Sequence, residues 1–306
     1  MIRFILFILC YLISLLFTFA QVKQENIILK NDSIELPGTL SYTSKKAPLI
    51  IWVHGSGNVD RNGNQGSIVK ANYIEQFRHE VNKHNIAFFS YDKRTANPKN
   101  VDFLKNFVFD DLVNDVKTVV NYFKKNHSFS SITLLGHSQG SLVAMLASEK
   151  TDKLISLAGP STSFDETLIS QLKVNSPFLV AFTQSHINEL KETGKIKEVN
   201  PMLASIFASQ NQPLIVSWMQ HNPSKEIQKL LLPILIVNGD KDLQVSSNDA
   251  EALHKAQPNA KLAIIKNMNH VIKLIEKDDD NLTSYYSPDF SIPNQLITTI
   301  VSFIKQ

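Results

Sequence analysis

Ser138, Asp242 and His270 are of the three residue types that together make a nucleophile out of a hydroxyl at neutral pH. A serine hydroxyl attacks poorly until a base takes its proton. An imidazole, with an ordinary pKa near 6.5, suits that task. A carboxylate then holds the imidazole in the right tautomer and stabilises its protonated form. Ser138 is the centre of Gly136-His137-Ser138-Gln139-Gly140, a G-x-S-x-G pattern. Upstream, Ile132, Leu134 and Leu135 form a short apolar run. Downstream, Leu142, Val143, Met145, Leu146 and Ala147 recur at helical spacing. The serine therefore falls where a strand turns sharply into a helix. Such a turn brings strand and helix so close that side chains two positions either side would collide, hence Gly136 and Gly140. A bare five-residue match recurs by chance, and the strand and helix around it are what give it meaning.

A second stretch offers donors for the charge that attack would create. Leu49–Val53 is a continuous apolar run, read as a buried strand, and His54-Gly55-Ser56-Gly57-Asn58 follows at once. A phosphate cradle is one reading, but a Walker lysine and the G-x-G-x-x-G spacing are both missing. The other is half of an oxyanion hole, in which the N–H of Ser56 or Gly57 partners that of Gln139. His54 reads as structural. For the acid, Asp240 competes with Asp242. Asp242 lies further into the loop after Pro233–Val237, and Asp240 reads as a turn cap. For the base, only His254 and His270 follow Asp242, and His254 sits within the helix Ser246–Ala256.

The elements that must position these groups alternate along the chain. The candidate strands are Asn26–Leu29, Gly38–Tyr42, Leu49–Val53, Ile86–Tyr91, the run before Gly136, Leu154–Ala158, Pro233–Val237 and Lys261–Ile265. The first two, with Asn31, Asp32 and Ser33 between them, suit an antiparallel hairpin. Helices are expected at Tyr73–Lys83, Phe109–Lys125, after Ser138, at Ser246–Ala256 and at Ile292–Ile304. The pattern predicts a mostly parallel α/β sheet with helices on both faces, whose ligands bind beyond the carboxyl ends of the strands. His54–Gly57, Ser138, Asp242 and His270 all follow strand ends. The alternation stops over 161–232, a stretch too long for a structureless loop and interrupted by Pro177, Pro201, Pro213 and Pro223. It reads as a helical cap inserted into a core of 21–160 and 233–306. Its aromatic residues, Trp218 among them, pack the cap or line an acyl pocket. Asp110, Asp111 and Asp115 read as carboxylates favouring a helix start, so no metal is assigned.

Composition bounds the rest. The 306 residues are 43% hydrophobic and 19% charged, with a net charge of +3, a globular balance without the basic cluster a nucleic-acid footprint would need. Met1–Ala20 has Arg3, an apolar core and a small residue at its exit, as a secretory signal does. Retained, it would be a membrane anchor. Either way the body would lie outside the cytoplasm, periplasmic or secreted. The single cysteine, Cys10, is within that segment, so a mature chain would hold no catalytic cysteine.

With these residues placed, the chain resembles the α/β-hydrolase superfamily. More narrowly, it is similar to bacterial serine carboxylesterases related to the prolyl oligopeptidase and dienelactone hydrolase groups. The matching stretches are HGSGNVDRNGN (54–64), YDKR (91–94), LLGHSQGS (134–141), LAGPS (157–161), VSWMQHNP (216–223), PILIVNGDKDLQV (233–245) and NMNH (267–270). The resemblance implies Ser138 as nucleophile, Asp242 as acid and His270 as base, acting on short acyl esters without a cofactor. Relatives commonly have glycine where Thr95 stands and proline where Asn58 stands. Asp60, Arg61, Asp92 and Arg94 match family positions and are expected to form a charged network buttressing the oxyanion loop. The expected partner is a small-molecule ester. The same triad could serve a thioesterase, an acyltransferase or a peptidase, and a non-catalytic binding protein on this scaffold is the reading from another class.

Overall fold

A computed structural model describes residues 21–306, so the expected leader at 1–20 lies outside the described residues. Eight strands form one sheet in the order β1-β2-β4-β3-β5-β6-β7-β8. They are β1 (Lys23–Asn31), β2 (Ile34–Tyr42), β3 (Leu49–Val53), β4 (Ala87–Tyr91), β5 (Ile132–His137), β6 (Lys153–Leu157), β7 (Ile234–Gly239) and β8 (Lys261–Ile265). β2 runs antiparallel to both β1 and β4, and every pairing from β4 to β8 is parallel. The hairpin strands are longer than the sequence predicts because nine pairs of residues match across them, polar ones included.

Side chains alternate across the sheet, as strand geometry requires. Leu49, Ile51 and Val53 join one apolar layer, and Ile50 and Trp52 the other. The first layer is closed by α1 (Phe109–Asn126), α2 (Gln139–Ala147) and α3 (Ser247–Ala256). The second is closed by α4 (Tyr73–Asn82) and α5 (Asn294–Lys305). Helices thus cover both faces, as doubly wound sheets need. α2 is almost wholly buried, at the centre of the molecule.

Register brings the functional loops to one edge. Val53 pairs with Gly136, His137 with Leu157, and Gly239 with Ile265. The chain leaves β3, β5, β6, β7 and β8 on the same side. β4 and β5 flank β3 on opposite sides, so the order reverses there, the place where open α/β sheets bind ligands.

Between β6 and β7 come α6 (Phe164–Asn175), α7 (Val180–Thr193), α8 (Gln212–Trp218) and α9 (Pro223–Ile227), with short 3-10 turns and a one-turn helix at Ala204–Phe207 among the connections before α8. They surround an apolar cluster of their own, including Leu168, Ile187, Leu190 and Phe207. Ser161 and Ser224, at the two ends of this segment, are fastened together. Ser224 Oγ donates to the Ser161 carbonyl at 2.7 Å, and Ser161 donates to Asp249 from both N–H and Oγ.

One sequence expectation is corrected here. Asp115 is not a helix-dipole carboxylate. It is buried, and it accepts two bonds from Arg94, Nε to Oδ2 at 2.7 Å and Nη2 to Oδ1 at 2.8 Å. Asp111 does serve the helix start, where its carboxylate accepts the Val108 N–H.

Candidate active site

Ser138 stands between β5 and α2 at φ 53°, ψ −123°. This left-handed backbone is costly for a residue with a Cβ, and it persists where surrounding structure enforces it. Here the Ser138 N–H donates to Leu157 O at 2.9 Å. A Cβ on Gly136 would run into the Gly140 carbonyl, and one on Gly140 into the carbonyls of Val53 and His54. Gln139 heads α2, so its N–H has no acceptor within the helix.

Asp242 and His270 meet although 28 positions apart. His270 Nδ1 lies 2.8 Å from Asp242 Oδ2. The other carboxylate oxygen, Oδ1, accepts the N–H groups of Gln244 at 2.8 Å and Val245 at 2.9 Å. Nδ1 therefore carries a proton toward the acid, and Nε2 is left as the imidazole's free acceptor. Asp240 is exposed and turned elsewhere, accepting the Asn267 N–H. His254 is half-buried on α3.

Ser56, Ser138, Gln139 and His270 line one cavity of about 280 Å³. Leu142, Phe164, Leu168 and Trp218 give it apolar walls. Trp218 lies between the cap and the core, 4.3 Å from the Phe164 ring centre and 5.4 Å from that of Phe109, which it stacks upon. Gly57, with φ +92°, adopts a backbone that favours glycine.

Two buried histidines frame the elbow. His137 Nε2 donates to the His270 carbonyl at 2.8 Å, which ties the residue before the serine to the backbone of the imidazole loop. His54 Nε2 donates to the Tyr91 carbonyl. Burial lowers the pKa of His137 to about 3 and that of His54 to about 4. Both are thus held neutral. A histidine depressed in the folded state contributes stability above its unfolded pKa near 6.5 and loses it as pH falls toward the folded value. Each should add a slope of up to about 1.4 kcal/mol per pH unit below pH 6.5. Imidazole resonances of His54 and His137 should therefore keep neutral shifts down to about pH 5, while denaturant midpoints decline over that range. Titration of either ring near pH 6.5 would contradict this.

The expected charged network divides in two. Arg61 and Asp92 form a bidentate pair, Nε to Oδ1 at 2.9 Å and Nη2 to Oδ2 at 2.7 Å. Asp60 Oδ1 closes its own turn by accepting the N–H groups of Asn62 and Asn64. Arg94 faces Asp115 and Asp111 instead. Between these two ion pairs sits Lys93, for which the sequence offered no role. It is buried, and its Nζ donates to Gly55 O at 2.7 Å and Gln139 Oε1 at 2.8 Å.

The sequence marks no candidate site residue over 271–291. This segment is pinned to the imidazole loop by Asn269, whose Nδ2 donates to Ser284 Oγ at 2.7 Å and whose Oδ1 accepts the Lys273 N–H. It brings Tyr285 and Tyr286 to the cavity. The Tyr285 hydroxyl is buried without a hydrogen-bond partner among the described residues, and burial raises its pKa. The adjacent tyrosines were the available signal. Among the described residues no three His, Cys, Asp or Glu side chains gather to hold a metal ion, and no helix is long and apolar enough to cross a membrane.

A mostly parallel eight-stranded sheet, with a serine on a strained turn after its fifth strand, defines an α/β hydrolase. The chain belongs to the BD-FAE family, which matches residues 39–257. Among curated proteins it is similar to esterase EstD of Thermotoga maritima, 25% identical over 244 residues that make up 78% of this chain and 58% of EstD. It is also similar to the probable lysophospholipase L2 of Haemophilus influenzae, 28% identical over 201 residues, 56% of this chain and 62% of that protein. The chain thus spans about three fifths of the length of these relatives. Est1E from Butyrivibrio proteoclasticus shares the fold with a TM-score of 0.59 at 18% identity, covering 92% of this chain and 99% of Est1E. The Pyrococcus furiosus esterase Pf2001 does so with a TM-score of 0.58 at 14% identity, covering 92% of each chain.

Proposed function

We propose that this chain hydrolyses carboxylic esters of short to medium acyl length through an acyl-serine intermediate. The observation that carries the reading is the 2.8 Å contact of His270 Nδ1 with Asp242, made at the cavity that Ser138 also lines. Ser138 Oγ attacks the ester carbonyl as His270 Nε2 takes its proton. The oxygen that gains charge is held by the N–H groups of Gln139 and Ser56, with Gly57 N–H as the alternative second donor. Each such donor stabilises the transition state by roughly 2.7–4 kcal/mol. The tetrahedral adduct collapses, its C–O bond to the alcohol breaks, and His270 returns the proton to the departing oxygen. Water, deprotonated by His270, then attacks the acyl-serine, the C–O bond to Ser138 Oγ breaks, and His270 returns the proton to Oγ as the acid departs. No step needs a cofactor.

The cavity volume and its Phe164 and Trp218 walls support an acyl group of limited length, aryl groups included. Est1E has been solved with ferulic acid bound, so methyl ferulate belongs in the substrate panel beside p-nitrophenyl acetate, butyrate and octanoate. The segment 161–232 acts in this reading as a cap over the site. The leader at 1–20 would direct export, with the body periplasmic or secreted. Thioester hydrolysis, acyl transfer, peptide hydrolysis and a non-catalytic binding role are the competing readings.

The test compares the chain from Gln21 onward with its Ser138→Ala variant, by ester turnover and fluorophosphonate labelling. Turnover and labelling by the first, both lost in the second, are expected. A folded chain that does neither would overturn the hydrolase reading in favour of a binding scaffold. Labelling without turnover would move it to another acyl or acceptor class.

A further inference from the structure

We propose that Lys93 is a positioning residue that fastens both halves of the oxyanion hole from behind. The inference rests on the hydrolase reading above and adds a residue to it. Its basis is where the two bonds of the Lys93 amine go. One reaches Gly55 O and the other Gln139 Oε1. Gly55 C=O and Ser56 N–H belong to the same planar trans peptide, so they point in opposite directions. Fixing the carbonyl toward Lys93 aims the Ser56 N–H away from it, and both Gly55 and Ser56 border the cavity. The second bond holds the side chain of Gln139, the residue whose main-chain N–H is the other donor. One amine, set just beyond the end of β4, thereby joins the loop after β3 to the turn after β5.

The loop needs such an anchor. His54-Gly55-Ser56-Gly57 carries two glycines, which leave the backbone more freedom than other residues would, and Ser56 and Gly57 are exposed. A hydrogen bond to the far end of a peptide also polarises its N–H, which strengthens the donor where charge develops. Burial itself argues for a role. The Lys93 amine is almost fully removed from water, and that desolvation lowers its pKa to about 7. A methionine of similar length would fill the space without that cost, so packing alone does not account for a lysine here.

The experiment measures kcat and KM on p-nitrophenyl butyrate, inhibition by butylboronic acid and the thermal midpoint, for wild type, Lys93→Met, Gln139→Ala and the double variant. Lys93→Met should lower kcat about 10²-fold, within the range for loss of an oxyanion donor, with KM within about threefold. The boronate, whose serine adduct carries the tetrahedral geometry, should bind more weakly by a similar factor. Gln139→Ala removes one arm and should lower kcat about tenfold at unchanged KM. Because both act through one linkage, the double variant should fall no more than about threefold below Lys93→Met. A purely structural lysine would shift the thermal midpoint, leave the kcat of the folded fraction intact and give multiplicative effects. Lys93→Met within threefold of wild-type kcat, or multiplicative losses, would overturn the proposal. If Lys93→Met does not fold, Gln139→Ala decides, and wild-type kcat there overturns it. Ester turnover that is lost in Ser138→Ala and kept in Lys93→Met sinks the lysine's role alone. An inactive wild type sinks the hydrolase reading and this inference with it.

Discussion

Asp242→Asn should lower kcat/KM on p-nitrophenyl butyrate about 10⁴-fold with little change in thermal midpoint. The size follows from where the two carboxylate oxygens point. Oδ1 accepts two main-chain N–H groups, from Gln244 and Val245, and Oδ2 faces His270 Nδ1. An asparagine has one carbonyl and one NH₂. Turned with its NH₂ toward Gln244 and Val245, it would oppose donor to donor twice. It will therefore keep the carbonyl there and present the NH₂ to His270. The imidazole must then accept at Nδ1 and carry its proton on Nε2, the nitrogen that in the proposed mechanism receives the Ser138 proton. Geometry survives while the base is disabled. Asp240→Ala is the control. It removes an exposed acceptor of the Asn267 N–H and should cost less than tenfold. Reversal of the two effects, with Asp240→Ala the crippled variant, would displace Asp242 from the site.

The contrast between the two aspartates shows what a sequence carries and where it stops. β5, β7 and β8 announce themselves as apolar runs, so the loops that follow them are legible, and with them the candidates Ser138, Asp242 and His270. The alternation of strand and helix, which implies parallel strands, predicts that these loops share an edge. Choosing between Asp240 and Asp242 turned on position within the loop, and the structure places Asp242 against His270 and Asp240 against Asn267. Asp115 was misread, though its signal was present. It lies three residues after Leu112 and four before Val119, on the face α1 buries, and a buried carboxylate needs a partner. Arg94, 21 positions earlier, could not be chosen among the chain's cations by spacing. Lys93 is out of reach for the same reason. Its partners, Gly55 and Gln139, lie on loops that come together only when the sheet assembles. Periodicity reports which face an element buries, but not which distant loop meets it.

Gly140→Ala should destabilise the chain by more than about 4 kcal/mol, the range reserved for disrupted packing or backbone, or abolish soluble folded protein altogether. A single methyl has this effect because of what it meets. The added Cβ would be driven into the carbonyl oxygens of Val53 and His54, main-chain atoms at the end of a strand whose five residues are all buried. No rotamer relieves such a clash, since alanine has none and the obstacle is backbone. Relief would require α2 to retreat from β3. α2 lies in the middle of the core, with Leu142, Val143, Ala144 and Met145 nearly inaccessible, so its retreat would open cavities along one whole layer. Gly194→Ala supplies the comparison. Gly194 ends α7 with φ +74°, but a Cβ there meets nothing. It should cost roughly 1 kcal/mol, the intrinsic penalty of the left-handed conformation alone. Urea denaturation of both variants separates the two terms. If Gly140→Ala unfolds at nearly the same urea concentration as Gly194→Ala, strand and helix are not as tightly apposed as their carbonyls imply. The strain at Ser138, which depends on that apposition, would then need another cause.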